Sequence, residues 1–316
     1  MPALGRTSLI VPRLGVGAMT WGAPTGLARF HPAKLAYGGA DSAEEEAKAF
    51  EVSVVGGVSL FDTAAAYSRG AAELRLGQLA RGRDVLIASK FPMSFSTLKA
   101  EDFPIQLAGS LERLGRSSID LYQHHFPGGT DIARLMQLIA DAVEAGQIKT
   151  IGVSNYSAAQ MREAHAVLAK RGIPLASNQV QYSLLHRKPE VDGVMEACRE
   201  LGVTLIAYSP LAMGMLSGKY SAGERATGLR RLLPNFGRKA REAAKPVVDL
   251  LRRIGERSGK SPAQVALRWL IENPLVLPIP GAKNGRQAAS NAGSLDFSLT
   301  PEEVAEVDAA TRAWRK

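Results

Sequence analysis

Residues 58–67 read VSLFDTAAAY, an apolar run that ends on a carboxylate and is followed by a tyrosine. The design recurs at 85–90 (VLIASK), which ends on a lysine, and at 119–125 (IDLYQHH), which ends on a histidine. Runs of this length and composition are typical of buried β-strands. An ionisable group is costly inside such a strand unless it is paired, so these groups are expected to pair where the strands end. They are Asp62, Tyr67, Lys90 and His125.

Strand-like and helical patterns alternate along the whole chain. Apolar runs predict strands at 15–19, 59–62, 84–90, 119–124, 150–154, 176–179, 203–208 and 276–279. Amphipathic stretches predict helices at 42–55, 71–81, 104–114, 132–145, 158–171, 189–201, 238–258 and 262–272. Because no Pro/Ser-rich linker interrupts these units, we expect one α/β domain over residues 1–316, a (β/α)₈ TIM barrel. Residues 4–14 predict an N-terminal β-hairpin that caps the bottom of the barrel.

The composition is that of a globular protein, with 316 residues of which 46% are hydrophobic. No apolar stretch approaches the roughly 20 residues of a membrane span, so no membrane contact is expected. The N-terminal residues, MPALGRTSLIVPRLG, are not typical of a signal peptide. Cys198 is the single cysteine, which excludes a disulfide within the chain. Together these features favour a cytoplasmic location.

The chain is basic, with a formal net charge of +9 and a cluster of arginines at 225–241. A nucleic-acid partner is not expected, because neither interleaved aromatic residues nor a recognisable binding module accompanies the charge. Two interpretations remain. The cluster is either a solvated loop and helix start, or it attracts an anionic ligand such as a phosphorylated cofactor.

The adjacent histidines His124 and His125 invite a metal interpretation. Successive residues of a strand point to opposite faces, so the two rings are poorly placed to share one ion. No third histidine and no cysteine pair has the spacing of a zinc site. We therefore expect no metal.

The four groups at the strand ends suit proton donation at the C-terminal mouth of a barrel. A tyrosine is a poor acid near neutral pH, with an ordinary pKa of about 10, and a nearby lysine ammonium lowers that pKa. Asp62 would hold Lys90 charged, and His125 could polarise a carbonyl or relay the proton. This set would protonate the alkoxide that forms when hydride adds to a carbonyl. Taken singly, each residue also has an ordinary structural interpretation, but four in this order are rarely a coincidence.

Residues 15–20 (GVGAMT) fall short of the dinucleotide-binding fingerprint of a Rossmann fold. Thr20 replaces the third glycine, and Trp21-Gly-Ala-Pro24 follows where a helix should begin. The Rossmann interpretation is therefore rejected.

Several separate motifs follow one another along the chain. They are FDTAAAY at 61–67, DLYQHHFP at 120–127, IGVSN at 151–155, NQVQ at 178–181, AYSPL at 207–211, LSGKY at 216–220 and PIPGAK at 278–283. With these motifs in this order, the chain resembles the aldo-keto reductase superfamily over essentially its whole length. The resemblance implies that NADPH binds in an extended form across the barrel mouth.

The resemblance also implies which residues hold the cofactor. Ser154, Asn155 and Gln179 would bind the nicotinamide carboxamide, and Tyr208 would stack on the nicotinamide ring. Contacts to the pyrophosphate are implied for Ser209, Leu211 and Gly214. The adenosine end would meet Lys283, Gln287 and Asn291, with Lys283 as partner of a 2′-phosphate.

The substrate implied is a small-molecule carbonyl. Trp21, Phe91 and Phe126 lie just after strand ends and are expected to form an apolar wall, which favours aldehydes or ketones with hydrophobic bodies. The sequence thus predicts an NADPH-dependent reductase of aldehydes or ketones, with Tyr67 as the proton donor. The alternative is a redox-sensing partner subunit that holds NADPH with little turnover. The oligomeric state stays open.

Overall fold

A computed structural model describes residues 1–22, 42–92, 99–222 and 236–316. Eight strands form one sheet in chain order, and each neighbouring pair is parallel. The strands are β1 (Gly15–Gly17), β2 (Leu60–Asp62), β3 (Leu86–Phe91), β4 (Ile119–His124), β5 (Ile148–Ser154), β6 (Leu175–Gln181), β7 (Thr204–Tyr208) and β8 (Val276–Pro278). Each lies within a few residues of the predicted run, because short β-branched stretches bounded by polar residues favour strands.

The sheet curls until its last strand meets its first. Beyond β8, Gly281 forms a parallel bridge with Gly17. The backbone N–H of Gly17 donates to the carbonyl oxygen of Pro280 over 3.0 Å. Eight parallel strands with helices between them define the α/β architecture of a (β/α)₈ fold, as the sequence predicts.

The helices occupy the predicted segments and two further ones. They are α1 (Ala43–Val55), α2 (Ala71–Leu79), α3 (Phe103–Leu114), α4 (Ile132–Glu144), α5 (Ala158–Ala169), α6 (Val194–Leu201), α7 (Arg238–Glu256), α8 (Pro262–Glu272), α9 (Gly285–Ala292) and α10 (Pro301–Ala310). The predicted helix at 189–201 is wrong at its start. Only a short 3₁₀ turn covers 188–190, and α6 begins after Gly193, whose φ of 87° breaks the helical path.

Buried apolar side chains of the described residues form three clusters, of which the smallest contains Met215, Tyr220, Phe236 and Ala244. The largest one lies between the strands and the surrounding helices. A smaller cluster fills the inside of the barrel, since alternate residues of each strand point inward. Its members are Leu4, Val11, Leu60, Ala88, Leu121, Ala176, Ile206, Leu277 and Ile279.

The N-terminal residues pack beneath this inner cluster. Ala3 and Ile10 form one antiparallel bridge, and the N–H of Leu4 donates to the carbonyl of Leu9 over 2.8 Å. Leu4 and Val11 are buried with the inner cluster. One isolated bridge does not make two paired strands, so the β-hairpin cap stays a prediction.

A buried arginine ties the C-terminal residues to the segment after β6. The guanidinium of Arg187 is 1% exposed and binds Glu190 with two N–H groups, at 2.6 and 2.7 Å. It also contacts Asp308 and donates to Thr311 Oγ1 over 2.7 Å. The guanidinium carbon of Arg187 lies 4.9 Å from the centre of the Trp269 ring. This charge is fully paired, and it links α10 to the barrel.

In the part of the chain that the structure describes, no helix combines the length and apolarity that a membrane crossing requires. The same residues contain no group of three or more His, Cys, Asp or Glu side chains that could hold a metal ion. The cytoplasmic location and the absence of a metal stay predictions.

Candidate active site

A buried ion pair lies at the centre of the barrel mouth. Lys90 Nζ is 2.5 Å from Asp62 Oδ1, and it also donates to the carbonyl oxygen of Thr63 over 2.8 Å. Lys90 is 0% exposed and Asp62 3%. Both side chains point inward because each lies an even number of residues from an inner apolar residue, Leu60 or Ala88.

Tyr67 joins this pair through its hydroxyl group. Lys90 Nζ lies 3.4 Å from the Tyr67 hydroxyl oxygen and 5.0 Å from the centre of its ring. Burial lowers the pKa of Lys90, but Asp62 and Tyr67 raise it more, so the net pKa lies above its ordinary value. The lysine therefore stays charged next to the phenol.

The backbone after Tyr67 turns sharply. Ser68 and Arg69 adopt left-handed conformations, with φ of 50° and 55°, and Gly70 follows at 88°. Left-handed backbone is unfavourable for residues with a Cβ, at a cost of about 1–2 kcal/mol each. This turn lets α2 start at Ala71 while Tyr67 stays over the barrel mouth.

His125 lies beside the tyrosine. Its ring meets the Tyr67 ring edge-on, with 5.7 Å between centres, and stacks on Phe126 at 5.1 Å. Burial, together with the charge of Lys90, lowers the pKa of His125 to about 3. The imidazole is therefore neutral near pH 7. Its buried Nδ1 has no hydrogen-bond partner among the residues that the structure describes.

His124 faces the opposite side of β4, as alternation along a strand predicts. Its Nδ1 lies 2.7 Å from the hydroxyl of Tyr156, and its ring lies 5.6 Å from Phe91. Burial lowers the pKa of His124 to about 4. The two histidines thus belong to different layers, and the sequence argument against a shared ion agrees with their placement.

Two glutamines complete the surroundings of Asp62. Gln123 Nε2 and Gln179 Nε2 both donate to Asp62 Oδ2, over 3.1 and 2.8 Å. Gln179 is predicted as a cofactor ligand, whereas Gln123 is not among the predicted site residues. The sequence contains a signal, since Gln123 lies two residues before His125, and alternation along a strand places both on one face. In the structure Gln123 pairs in register with Lys90.

The residues expected around the nicotinamide cluster at the ends of β5 to β7. Asn155 has a φ of 60°, and its Nδ2 donates to the carbonyl of His125 and to Ser154 Oγ, both over 3.0 Å. The Tyr208 hydroxyl donates to Asn155 Oδ1 over 3.1 Å. Ser154 Oγ donates to the carbonyl of Gln179 over 2.8 Å. Asn155 therefore fixes the Tyr208 ring relative to His125.

A strained loop follows β7. Ser209, Ala212 and Met213 have φ between 48° and 57°, and Gly214 has a φ of 94°. Successive backbone N–H groups in such left-handed turns form concavities suited to anions. The structure places two of the expected pyrophosphate ligands, Ser209 and Gly214, within this loop, and the third, Leu211, between them.

The residues expected at the adenosine end lie just before α9 (Lys283), in its first turn (Gln287) and in its last turn (Asn291). Asn284 caps this helix by accepting from the N–H of Gln287 over 3.0 Å, and Gln287 Oε1 accepts from the N–H of Lys283 over 3.0 Å. Asn291 is 7% exposed and donates to the carbonyl of Gly281 over 3.1 Å. The Gln287 and Asn291 side chains thus support the local fold around Lys283.

The three expected pocket aromatics have different surroundings. Phe126 is half-buried and stacks on His125 at the mouth. Trp21 is 0% exposed, and its indole N–H donates to the carbonyl of Ala282 over 2.7 Å. Phe91 directly follows Lys90 and so faces the outer layer, where it packs on Phe103. The structure therefore brings only Phe126 to the four candidate catalytic groups.

Taken together, this is a (β/α)₈ barrel whose mouth carries a charged lysine beside a tyrosine hydroxyl, an arrangement suited to proton transfer. The model of the "Aldo/keto reductase family" matches residues 13–312, and the chain belongs to this family. It is accordingly an oxidoreductase of a family associated with carbonyl reduction.

Two curated relatives agree with this assignment, and a solved structure shares the fold. The chain is 33% identical to the chloroplastic pyridoxal reductase of Arabidopsis thaliana over 322 residues, covering 96% of this chain and 84% of that protein. It is 34% identical to the aldo-keto reductase str7 of Strobilurus tenacellus, covering 94% and 88%. The glycerol dehydrogenase of Gluconobacter oxydans superposes with a TM-score of 0.82 at 24% identity, over 99% of this chain and 96% of that one, which shows a common fold.

Proposed function

We propose that this protein reduces aldehydes or ketones to alcohols with NADPH, and that Tyr67 donates the proton. One observation carries the proposal. The ammonium of Lys90 is buried between the Asp62 carboxylate and the Tyr67 hydroxyl, at 2.5 and 3.4 Å. A charged lysine in water-excluded surroundings favours the phenolate strongly, so the phenol gives up its proton more readily.

His125 is proposed to orient the substrate. With a pKa of about 3, it is a neutral imidazole, which donates a hydrogen bond from one ring nitrogen only. The carbonyl oxygen of a substrate placed between His125 and Tyr67 would accept from both residues. As negative charge develops on that oxygen, Tyr67 transfers its proton to it, and Lys90 stabilises the phenolate that remains.

The residues at the ends of β5 to β7 fit a nicotinamide cofactor. When bound, the reduced nicotinamide would supply the hydride for the carbonyl carbon. The Tyr208 ring is anchored through its hydroxyl to Asn155, so it offers a fixed flat surface for stacking. Ser154 is hydrogen-bonded both to Asn155 and to the carbonyl of Gln179. The left-handed loop from Ser209 to Gly214 would hold a diphosphate.

We further propose that the cofactor is NADPH rather than NADH. Lys283 precedes the capped start of α9, where a cation and a helix N-terminus both favour a phosphate group. An aldo-keto reductase of Schizosaccharomyces pombe that is 33% identical over 270 residues carries NADP(+) in its name, with 79% of this chain and 78% of that protein covered.

The test is NADPH oxidation, followed by absorbance, with a panel of aldehydes and ketones that includes pyridoxal, the substrate in the name of one relative. Tyr67→Phe should lower turnover by about 10²–10⁴-fold while the affinity for NADPH is kept, since the hydroxyl is the proton donor. Tyr122→Phe is the matched control, because it also removes one tyrosine hydroxyl, but that hydroxyl contacts Ser110 in the outer layer, away from the barrel mouth. Near-normal turnover in Tyr67→Phe would show that another group is the acid. Tight NADPH binding with negligible turnover on every carbonyl would favour the sensor subunit instead.

A further inference from the structure

The inside of the barrel mouth contains a closed ring of hydrogen bonds among three side chains. Gln123 Nε2 and Gln179 Nε2 both donate to Asp62 Oδ2, and Gln179 Nε2 also donates to Gln123 Oε1 over 3.3 Å. The exposed fractions of the three residues are 0–3%. Because water does not compete for these groups, the ring members determine one another's orientation.

The ring determines which end of each amide faces the carboxylate. An ionised carboxylate only accepts hydrogen bonds, so Gln123 and Gln179 must turn Nε2 rather than Oε1 toward Asp62. Both N–H hydrogens of Gln179 are then used, one by Asp62 and one by Gln123. The Oε1 atom of Gln179 can then accept a hydrogen bond from a further partner.

A glycine on the next strand makes room for this arrangement. Gly152 pairs in register with Gln123. A Cβ at this position would lie 2.9 Å from Gln123 Cγ and would also overlap Ser177 Oγ. Real Cβ atoms do not approach other atoms so closely, so the absence of a side chain here lets Gln123 extend across the barrel from β4 to Asp62 on β2.

We propose that Gln123 is a positioning residue for the cofactor. It would hold Gln179, together with Asp62, so that Gln179 Oε1 accepts a hydrogen bond from the NH₂ of the nicotinamide carboxamide. This inference rests on the proposed function. The carboxylate of Asp62 then serves both halves of the site, with Oδ1 on Lys90 and Oδ2 on the glutamines.

The test compares NADP⁺ with its 3-acetylpyridine analogue, in which a methyl ketone replaces the amide and no N–H is available. Binding of each is measured by calorimetry to the wild type and to Gln123→Met, a substitution of similar volume. The wild type should bind NADP⁺ on the order of 2- to 10-fold more tightly than the analogue, the range for one hydrogen bond. In Gln123→Met this ratio should fall toward one. A purely structural defect would weaken both ligands equally and leave the ratio unchanged.

Two further variants keep the test decisive. Ser177→Ala alters another buried polar group beside Gly152 and should leave the ratio as in the wild type. If Gln123→Met does not fold, Gln123→Asn keeps the amide but shortens its reach, and its ratio should also fall. An unchanged ratio in a folded Gln123 variant, or a ratio of one in the wild type, overturns the proposal. Failure of the wild type to bind NADP⁺ would instead refute the proposed function.

Discussion

His124 should make the folded protein sensitive to mild acid. Its ring is 0% exposed, and burial lowers its pKa from an ordinary value of 6.5 to about 4. At about pH 5 the folded protein therefore keeps the ring neutral, whereas the unfolded chain binds a proton there. A group whose pKa is lower in the folded state stabilises the fold fully above the ordinary pKa. That contribution is lost as the pH falls toward the folded value.

The size of the effect follows from the same values. Each pH unit below 6.5 costs about 1.4 kcal/mol of stability until the folded-state pKa is reached. At about pH 5 the loss from His124 is therefore about 2 kcal/mol, and near pH 7 it is close to zero. His124→Phe removes the titrating group and keeps a ring of similar size next to Phe91. When the pH is lowered from about 7 to about 5, the free energy of unfolding of the variant should rise by about 2 kcal/mol relative to that of the wild type.

The assay is urea unfolding of both proteins at about pH 7 and about pH 5, from which the difference in free energy of unfolding is obtained at each pH. Using the difference cancels the other titrating groups. Tyr156→Phe is the control, because it removes the hydroxyl that contacts His124 Nδ1 but leaves the imidazole in place. Its difference from the wild type should be about the same at both pH values. If the His124→Phe difference does not change with pH, the histidine is not kept neutral by burial and the reasoning is wrong.

Further predictions concern stability. Lys90→Met should destabilise the protein by about 3–5 kcal/mol in urea unfolding, because it leaves the buried Asp62 charge without its counter-ion. Arg187→Met should cost less, on the order of 1–3 kcal/mol, since Glu190 and Asp308 lose the Arg187 hydrogen bonds but keep Arg315 as a second cation. Asn155→Ala should cost about 1–3 kcal/mol in the same assay, through lost hydrogen bonds and a β-carbon at positive φ without the asparagine side chain.

Each of these three stability predictions would be contradicted by a particular result. For Lys90→Met, the added substitution Asp62→Asn should recover part of the loss, and no recovery would argue against an unpaired charge as the cause. A loss of about 3–5 kcal/mol in Arg187→Met would mean that Arg315 does not neutralise the two carboxylates. For Asn155, the replacement Asn155→Gly relieves the positive φ, so it should lose less stability than Asn155→Ala. The opposite order would contradict the role given to backbone strain.

The sequence predicted the alternation of strands and helices well because period and composition agree along most of the chain. Two helices were missed. Both α9 and α10 start with clear caps, Asn284 and Thr300, the latter with Pro301 and Glu303 in the first turn. Their apolar faces are weak, with one or two buried residues each, so the hydrophobic pattern carried little signal.

Position at a strand end predicts the four candidate catalytic residues correctly as neighbours, but it does not predict the pocket wall. Asp62, Tyr67, Lys90 and His125 come together because each belongs to the inner face or lies just beyond it. Phe91 follows Lys90 by one residue, and alternation therefore sends it outward. A residue just after a strand end can therefore be assigned to a pocket wall only if alternation along the strand also directs its side chain inward. Contacts of Asp62 with amides on distant strands are set by the closed sheet, which local patterns do not describe.

The contact between Gly17 and Pro280 has a consequence for how the chain is made. On the ribosome, β1 emerges early, but the strand that covers its free edge is among the last to be translated. Until then the growing sheet has an open edge of unpaired N–H and C=O groups, which can pair with other chains. A stalled nascent chain ending before residue 276 should therefore be cut readily by protease, whereas the released full-length chain should resist. Equal resistance of both would show that the incomplete sheet is already closed.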